Sequence, residues 1–205
     1  TMKFSNFEAC DQMWKGFKHN FGRNLNMNDC VIMDAEFGIE LSVNAKIRSL
    51  RDTFENCYVG IFAPANINNN FIFWTQGTRF VYTNQLKPQY SGQLNWSNRS
   101  WAGIEIRQNK TNLNIEKNRF INLHYGIIQR NTRAQITSST FQSEGFYLPR
   151  MGIEIERFGN TNITSCDFSE LNRGINEFGN SVSSLNIKRC KFINEIYVSQ
   201  TDGAG

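Results

Sequence analysis

The hydrophobic pattern of this chain repeats on two scales. Over short runs, apolar and polar residues alternate, as in LNIEKNRFINL (113–123) and TNITSCDFSEL (161–171), which predicts short β-strands with one buried face. Helix-period spacing is missing, and Asn, Thr and Phe crowd where a helix would favour Ala, Leu and Glu. On the longer scale the pair Gly-Ile recurs at Gly38-Ile39, Gly60-Ile61, Gly103-Ile104, Gly126-Ile127, Gly152-Ile153 and Gly174-Ile175. With Gly16 ahead of the first pair, the glycine separations are 22, 22, 43, 23, 26 and 22. All but one lie near 22 residues, and 43 is about two periods or one with an insertion.

A large apolar residue stands six before most of these glycines: Ile32, Phe54, Phe120 and Phe168. Five before that anchor an apolar residue is usual (Met27, Ile115, Ile136, Ile163, Ile187), and two before it stands a small or amide residue (Cys30, Asp52, Asn70, Asn118, Ser139, Cys166, Cys190). The alignment yields eight units, anchored at Phe7, Ile32, Phe54, Ile72, Phe120, Phe141, Phe168 and Phe192. A repeat of about 22 residues accommodates short strands and tight turns. It closes one coil of a parallel β-solenoid, with coils stacked about 4.8 Å apart. The expected fold is all-β: a right-handed parallel β-helix of about eight coils, a single domain over 1–205 with a long aromatic-rich insertion at about 74–100. Stacking of equivalent positions would join Asn70 to Asn118, amide to amide, accounting for some of the 27 asparagines, and would leave Cys166 and Cys190 one coil apart as small residues filling a tight inward turn, most of the five cysteines being buried thiols.

Three segments carry a resemblance: LNMNDCVIMDAEFGIEL (25–41), LNIEKNRFINLHYGIIQ (113–129) and TNITSCDFSELNRGINEF (161–178). They look like the repeats of right-handed parallel β-helix proteins, the pectate-lyase-like superfamily, and the likeness covers most of the chain, weakening at 74–100. The resemblance implies a fold rather than one function, because that superfamily hosts polysaccharide lyases, glycoside hydrolases, phage tailspikes and non-catalytic adhesins. The Asn-rich, aromatic-rich composition is similar to that of secreted and cell-surface β-helix proteins of Bacteroidota, often exported by the type IX system. The paired-Asp and Gly-His-Gly segments of the superfamily's polygalacturonases have no counterpart here, so no catalytic residue carries over.

Composition narrows the partners. A chain of 205 residues with 40% hydrophobic content can bury a core, and its charge of +4 is scattered, without a basic run that could follow a phosphate backbone, so nucleic acid is not expected. No apolar stretch reaches the roughly 18 residues of a membrane span. The five cysteines form no C-x-x-C pair, His19 and His124 lie in different coils, and the aspartates form no cluster for calcium, so no metal and no cofactor is expected. The opening Thr and the DGAG ending lead to the expectation of a longer chain, in which further coils or domains would flank this one. Sequons at Asn95, Asn98, Asn109 and Asn162 are expected by chance in so Asn-rich a chain.

Departures from the repeat locate the candidate chemistry. The interval from anchor to glycine stretches to nine after Phe7, to 31 after Ile72 and to 11 after Phe141, always at the same corner, so the extra residues form loops along one flank. These loops carry the candidate ligand-stacking aromatics Trp74, Tyr82, Tyr90, Trp96, Trp101 and Tyr147. On the Gly-Ile strand the outward columns read Glu40, Phe62, Glu105, Ile128, Glu154, Asn176 and Ser42, Pro64, Arg107, Arg130, Glu156, Phe178. They would gather Glu105, Arg107, Arg130, Glu154 and Glu156 beside the loops as catalytic candidates. Glu105 and Glu154, two coils apart, would stand roughly 10 Å from each other, wider than the 6.5–9.5 Å of an inverting glycosidase. The leading expectation is therefore a secreted or cell-surface module that binds glycan or a cell-envelope protein, or serves as an adhesin segment or spacer. The alternative is a polysaccharide lyase or glycoside hydrolase acting in a groove on the Gly-Ile face.

Overall fold

The computed structural model describes residues 1–19, 22–42, 44–64, 72–83, 85–89, 99–107, 112–144, 151–156, 160–178 and 184–194. These residues form 23 strands and no helix, arranged as three parallel sheets of eight, eight and seven strands. Each unit contributes one strand to each sheet in turn; in the fifth coil these are Asn112–Glu116, Arg119–Ile121 and Tyr125–Arg130. Alternation does the local work: Leu113 and Ile115 are buried while Asn112 and Asn114 face solvent. The expected count of about eight coils is slightly high for complete turns. The seven strands of the third sheet are separated by six full turns, and partial turns at both ends bring the other sheets to eight strands. The first unit has strands of only two residues, and in the last, which lacks Gly-Ile, the described residues supply strands to two sheets.

One column organises the interior. Phe7, Ile32, Phe54, Phe80, Phe120, Phe141, Phe168 and Phe192 pair in register along the second sheet. From Phe54 onward the rings stack face to face, with centroids 4.7–5.0 Å apart and planes within 5°. The fourth anchor is thus Phe80, and the assignment of Ile72 is corrected: Ile72 opens a first-sheet strand opposite Lys46 and Asn112. The misreading has a physical source. The residues five before the anchors Phe54 and Phe80 are Ser49 and Thr75, polar yet fully buried, so the apolar signature fails in these coils.

Those polar residues are satisfied inside the core. The Ser49 hydroxyl donates to Asp52 (2.6 Å) and contacts the Thr78 hydroxyl (3.0 Å); the Thr78 N–H donates to the Asn118 side-chain oxygen (2.9 Å), and the Asn118 amide donates to the Thr75 hydroxyl (2.5 Å). Asp52 also accepts the Cys30 N–H at 2.8 Å, and its burial raises its carboxyl above the ordinary value against these hydrogen bonds. Asn118 meets Thr75 and Thr78; Asn70, expected beside it, lies outside the described residues. Burial pushes the Cys166 thiol up to about 12, and it donates to the carbonyls of Ile136 and Thr164.

The corners explain where loops leave. Three residues before the anchor, each coil turns through one left-handed residue: Asp29, Arg51, Gly77, Lys117, Ser138, Ser165 and Arg189 have φ of 50–64°. A second left-handed corner follows two residues after the anchor at Asp34, Asn56, Asn122, Glu170 and Asn194, but not at Ala9, Tyr82 or Ser143. These are the coils whose anchor-to-glycine interval is lengthened.

The glycine column answers the phenyl column. A Cβ on Gly126 would lie 2.5 Å from the Phe141 ring and 2.6 Å from the Gly152 carbonyl oxygen, and Gly38, Gly60, Gly103 and Gly152 face equivalent contacts with the next coil. Replacing Gly126 by Ala must push apart backbone as well as ring. It is expected to destabilise the fold by about 3 kcal/mol, measured by urea denaturation.

Candidate functional site

The expected outward column of the third sheet is in register: Glu40, Phe62, Glu105, Ile128, Glu154 and Asn176 pair in succession. Three of its members are nevertheless sealed, with Glu105 2%, Ile128 1% and Glu154 7% exposed. Around Ile128 the chain packs on itself. Met13, from the first insertion, and Leu86, from the long one, join Tyr58, Val59, Ala102 and Ile128 in a second apolar cluster outside the solenoid interior, with Phe62, Trp101 and Tyr125 at its margin. The two insertions hold one another: the Met13 N–H donates to the Pro88 carbonyl (2.8 Å), and the Lys87 ammonium lies 2.6 Å from the buried Asp34 carboxylate and donates to the Ala9 carbonyl. Trp14 ties the first insertion to the stack by donating its indole N–H to the Met33 carbonyl (2.8 Å).

On the same face the charges pair among themselves. Arg107 donates to Glu105 at 2.5 Å and lays its guanidinium over the Phe62 ring, 5.2 Å from its centroid. Arg130 and Glu156 form an ion pair at 2.7 Å. Glu154 accepts a hydrogen bond from the Tyr125 hydroxyl; burial raises its carboxyl above the ordinary value, the charge of Arg130 and the Tyr125 bond oppose that rise, and Glu156 and Glu105 add to it. The same burial, with the Glu154 charge beside it, pushes the Tyr125 phenol up to about 12. Glu105, Arg107, Arg130, Glu154 and Glu156 are thus brought to one face, with Ile128 between the coils of the two buried glutamates.

The aromatic candidates separate. Trp101 stacks in line between Tyr58 (6.5 Å) and His124 (5.1 Å) and meets Tyr125 edge-on at 4.9 Å, so it continues a column of the solenoid. Tyr82 is half-buried against both apolar clusters. Trp74 is not in a loop: it sits in the strand Ile72–Gln76 of the first sheet, with the Arg48 guanidinium 4.5 Å from its ring centroid. Phe80, which falls within the expected insertion at about 74–100, is the buried fourth anchor. Tyr90, Trp96 and Tyr147 lie outside the described residues. Among the described residues no three His, Cys, Asp or Glu side chains group as a metal site.

One face escaped the sequence reading. Six residues before each anchor, the outer column of the first sheet runs Asn26, Arg48, Trp74, Asn114, Gln135, Asn162 and Asn186, in register. The asparagine excess therefore lies partly on this outer face. The signal was the offset of six, hidden in the fourth coil by the misplaced anchor. No known protein family and no curated protein sequence matches this chain.

Two measurements check the sealed face. Leu86→Ala removes an anchor of the long insertion and is expected to cost about 2–4 kcal/mol in denaturant unfolding, the range for a buried leucine. The raised Glu154 carboxyl keeps its proton in the folded state at pH values where the unfolded chain has released it, so its contribution to stability is present below about pH 4.5 and falls as pH rises through the folded value. Glu154→Gln is expected to remove that slope, so the stability advantage of the parent over the variant shrinks from pH 4.5 toward neutrality.

Proposed function

We propose that this protein is an extracellular or cell-surface β-helix module that binds glycan or a cell-envelope partner and holds its neighbours apart, acting by binding rather than turnover. One observation carries the reading: the acidic and basic residues that would have formed a catalytic groove are engaged with one another or with Tyr125, and Glu105 and Glu154 are buried. A glycoside hydrolase needs two carboxyl groups reaching opposite sides of one accessible bond. A stiff stack of parallel coils with long, solvated faces suits a spacer or a receptor for an extended ligand.

The repeat motifs support placement in the pectate-lyase-like superfamily, and the Asn-rich, aromatic-rich composition supports a secreted or surface protein of the Bacteroidota kind, adhesin-like and exported by the type IX route. The partners of such a module are a polysaccharide or an envelope protein and the adjoining coils or domains of a longer chain. It requires no cofactor, and calcium has no cluster of carboxylates to hold it among the described residues.

The raised Glu154 beside Tyr125 and Arg130 is the feature a lyase or hydrolase would use. Incubation with a panel of acidic and neutral polysaccharides, with and without calcium, separates the two activities. The expected result is retention of one or more glycans on the protein with no new unsaturated product and no new reducing ends. Cleavage abolished by Glu154→Ala or Arg130→Ala in a folded variant would overturn the module in favour of the enzyme.

A further inference from the structure

We propose that the outer face of the first sheet binds an acidic polysaccharide laid along the solenoid axis. The inference rests on the reading of the protein as a glycan-binding module, and adds to it the face used and the charge of the ligand. Two shallow grooves flank this part of the stack. One, of about 380 Å³, is lined by Asn24, Lys46, Arg48 and Trp74; the other, of about 260 Å³, lies over the fifth to seventh coils and is lined by Arg133 and side-chain amides.

Charge selects the ligand. Lys46, Arg48 and Arg133 point outward and are exposed, and none forms an ion pair among the described residues. The carboxylates at the margin of the face, Asp29 and Glu116, are each paired, with Arg51 at 2.8 Å and Lys117 at 3.3 Å. The face is therefore locally cationic without counter-charges of its own. Arg48 and Arg133 stand three coils apart, roughly 14 Å at the spacing of parallel strands, which fits an oligosaccharide lying across the coils rather than one sugar.

Hydrogen-bonding capacity selects a sugar over a nucleic acid. The amides of Asn114, Gln135 and Asn162 stack in register, and among the described residues these side chains have no hydrogen-bond partner, so their donors and acceptors face solvent. An amide both donates and accepts, as a sugar hydroxyl does. Trp74, steadied by Arg48, adds an apolar ring in the same column. Three cations spread over this length fall far short of a duplex carrying one charge per about 1.7 Å.

The test is titration calorimetry of the full chain with polygalacturonate and with alginate, using dextran as the neutral polymer and single-stranded DNA as the competing polyanion. Binding of at least one polyuronate that weakens with added salt is expected. It should fall about tenfold in the folded double variant Arg48→Gln/Arg133→Gln and in Trp74→Ala, while Lys191→Gln on the second sheet leaves it unchanged. Polyuronate binding that survives both first-sheet variants would overturn the inference and leave the glycan module standing with another face. Dextran or DNA held as tightly as the polyuronates, or no polyuronate bound, would also overturn it. Failure to bind any glycan, neutral polymers included, would remove the glycan reading together with this face.

Discussion

The structure depends on the contact between a column of stacked phenyl rings and a column of glycines. Rings at Phe54, Phe80, Phe120, Phe141, Phe168 and Phe192 lie 4.7–5.0 Å apart, the spacing of the parallel strands that carry them. Each ring from Phe54 to Phe168 sits where a glycine of the preceding coil leaves no room for a Cβ. Rings set the rise per coil, and glycines let the third sheet close against them. With both columns fixed, every other position in the repeat has an assigned side, and a solenoid whose interior is this uniform can vary its outer faces independently.

The outer faces use that freedom differently. On the third sheet, two insertions from distant coils meet through Met13 and Pro88 and pack Met13 and Leu86 with Ile128, while Glu105 and Glu154 are buried and engaged with Arg107 and Tyr125. On the first sheet the outer columns remain exposed, amide-rich and basic. A groove suggested by charged residues on one strand is in this way closed by tertiary packing, while a plain strand column becomes the accessible surface.

Much of the fold was legible because a solenoid writes its geometry as a period. The Gly-Ile recurrence, seven of the eight anchors and the shared corner of the insertions follow from spacing alone. The fourth anchor was not legible, because Ser49 and Thr75 satisfy one another's coils through Asp52, Thr78 and Asn118 where the pattern calls for apolar residues. The candidate site was legible in register but not in exposure. Glu105 and Glu154 alternate as outward residues should, yet both are buried, and Ile128 between them packs with Met13 and Leu86 brought from distant insertions. Nothing local distinguishes those two apolar residues from the others in their loops.

Carboxyl footprinting of the native protein, with carbodiimide coupling of glycine ethyl ester read by peptide mass spectrometry, tests the sealed face most directly. Glu105 and Glu154 are expected to stay unmodified while the exposed Asp167 and Glu170 label readily, and to become reactive only on unfolding. Labelling of Glu105 and Glu154 at the rate of the exposed carboxylates would show an open groove on the third sheet and contradict the account.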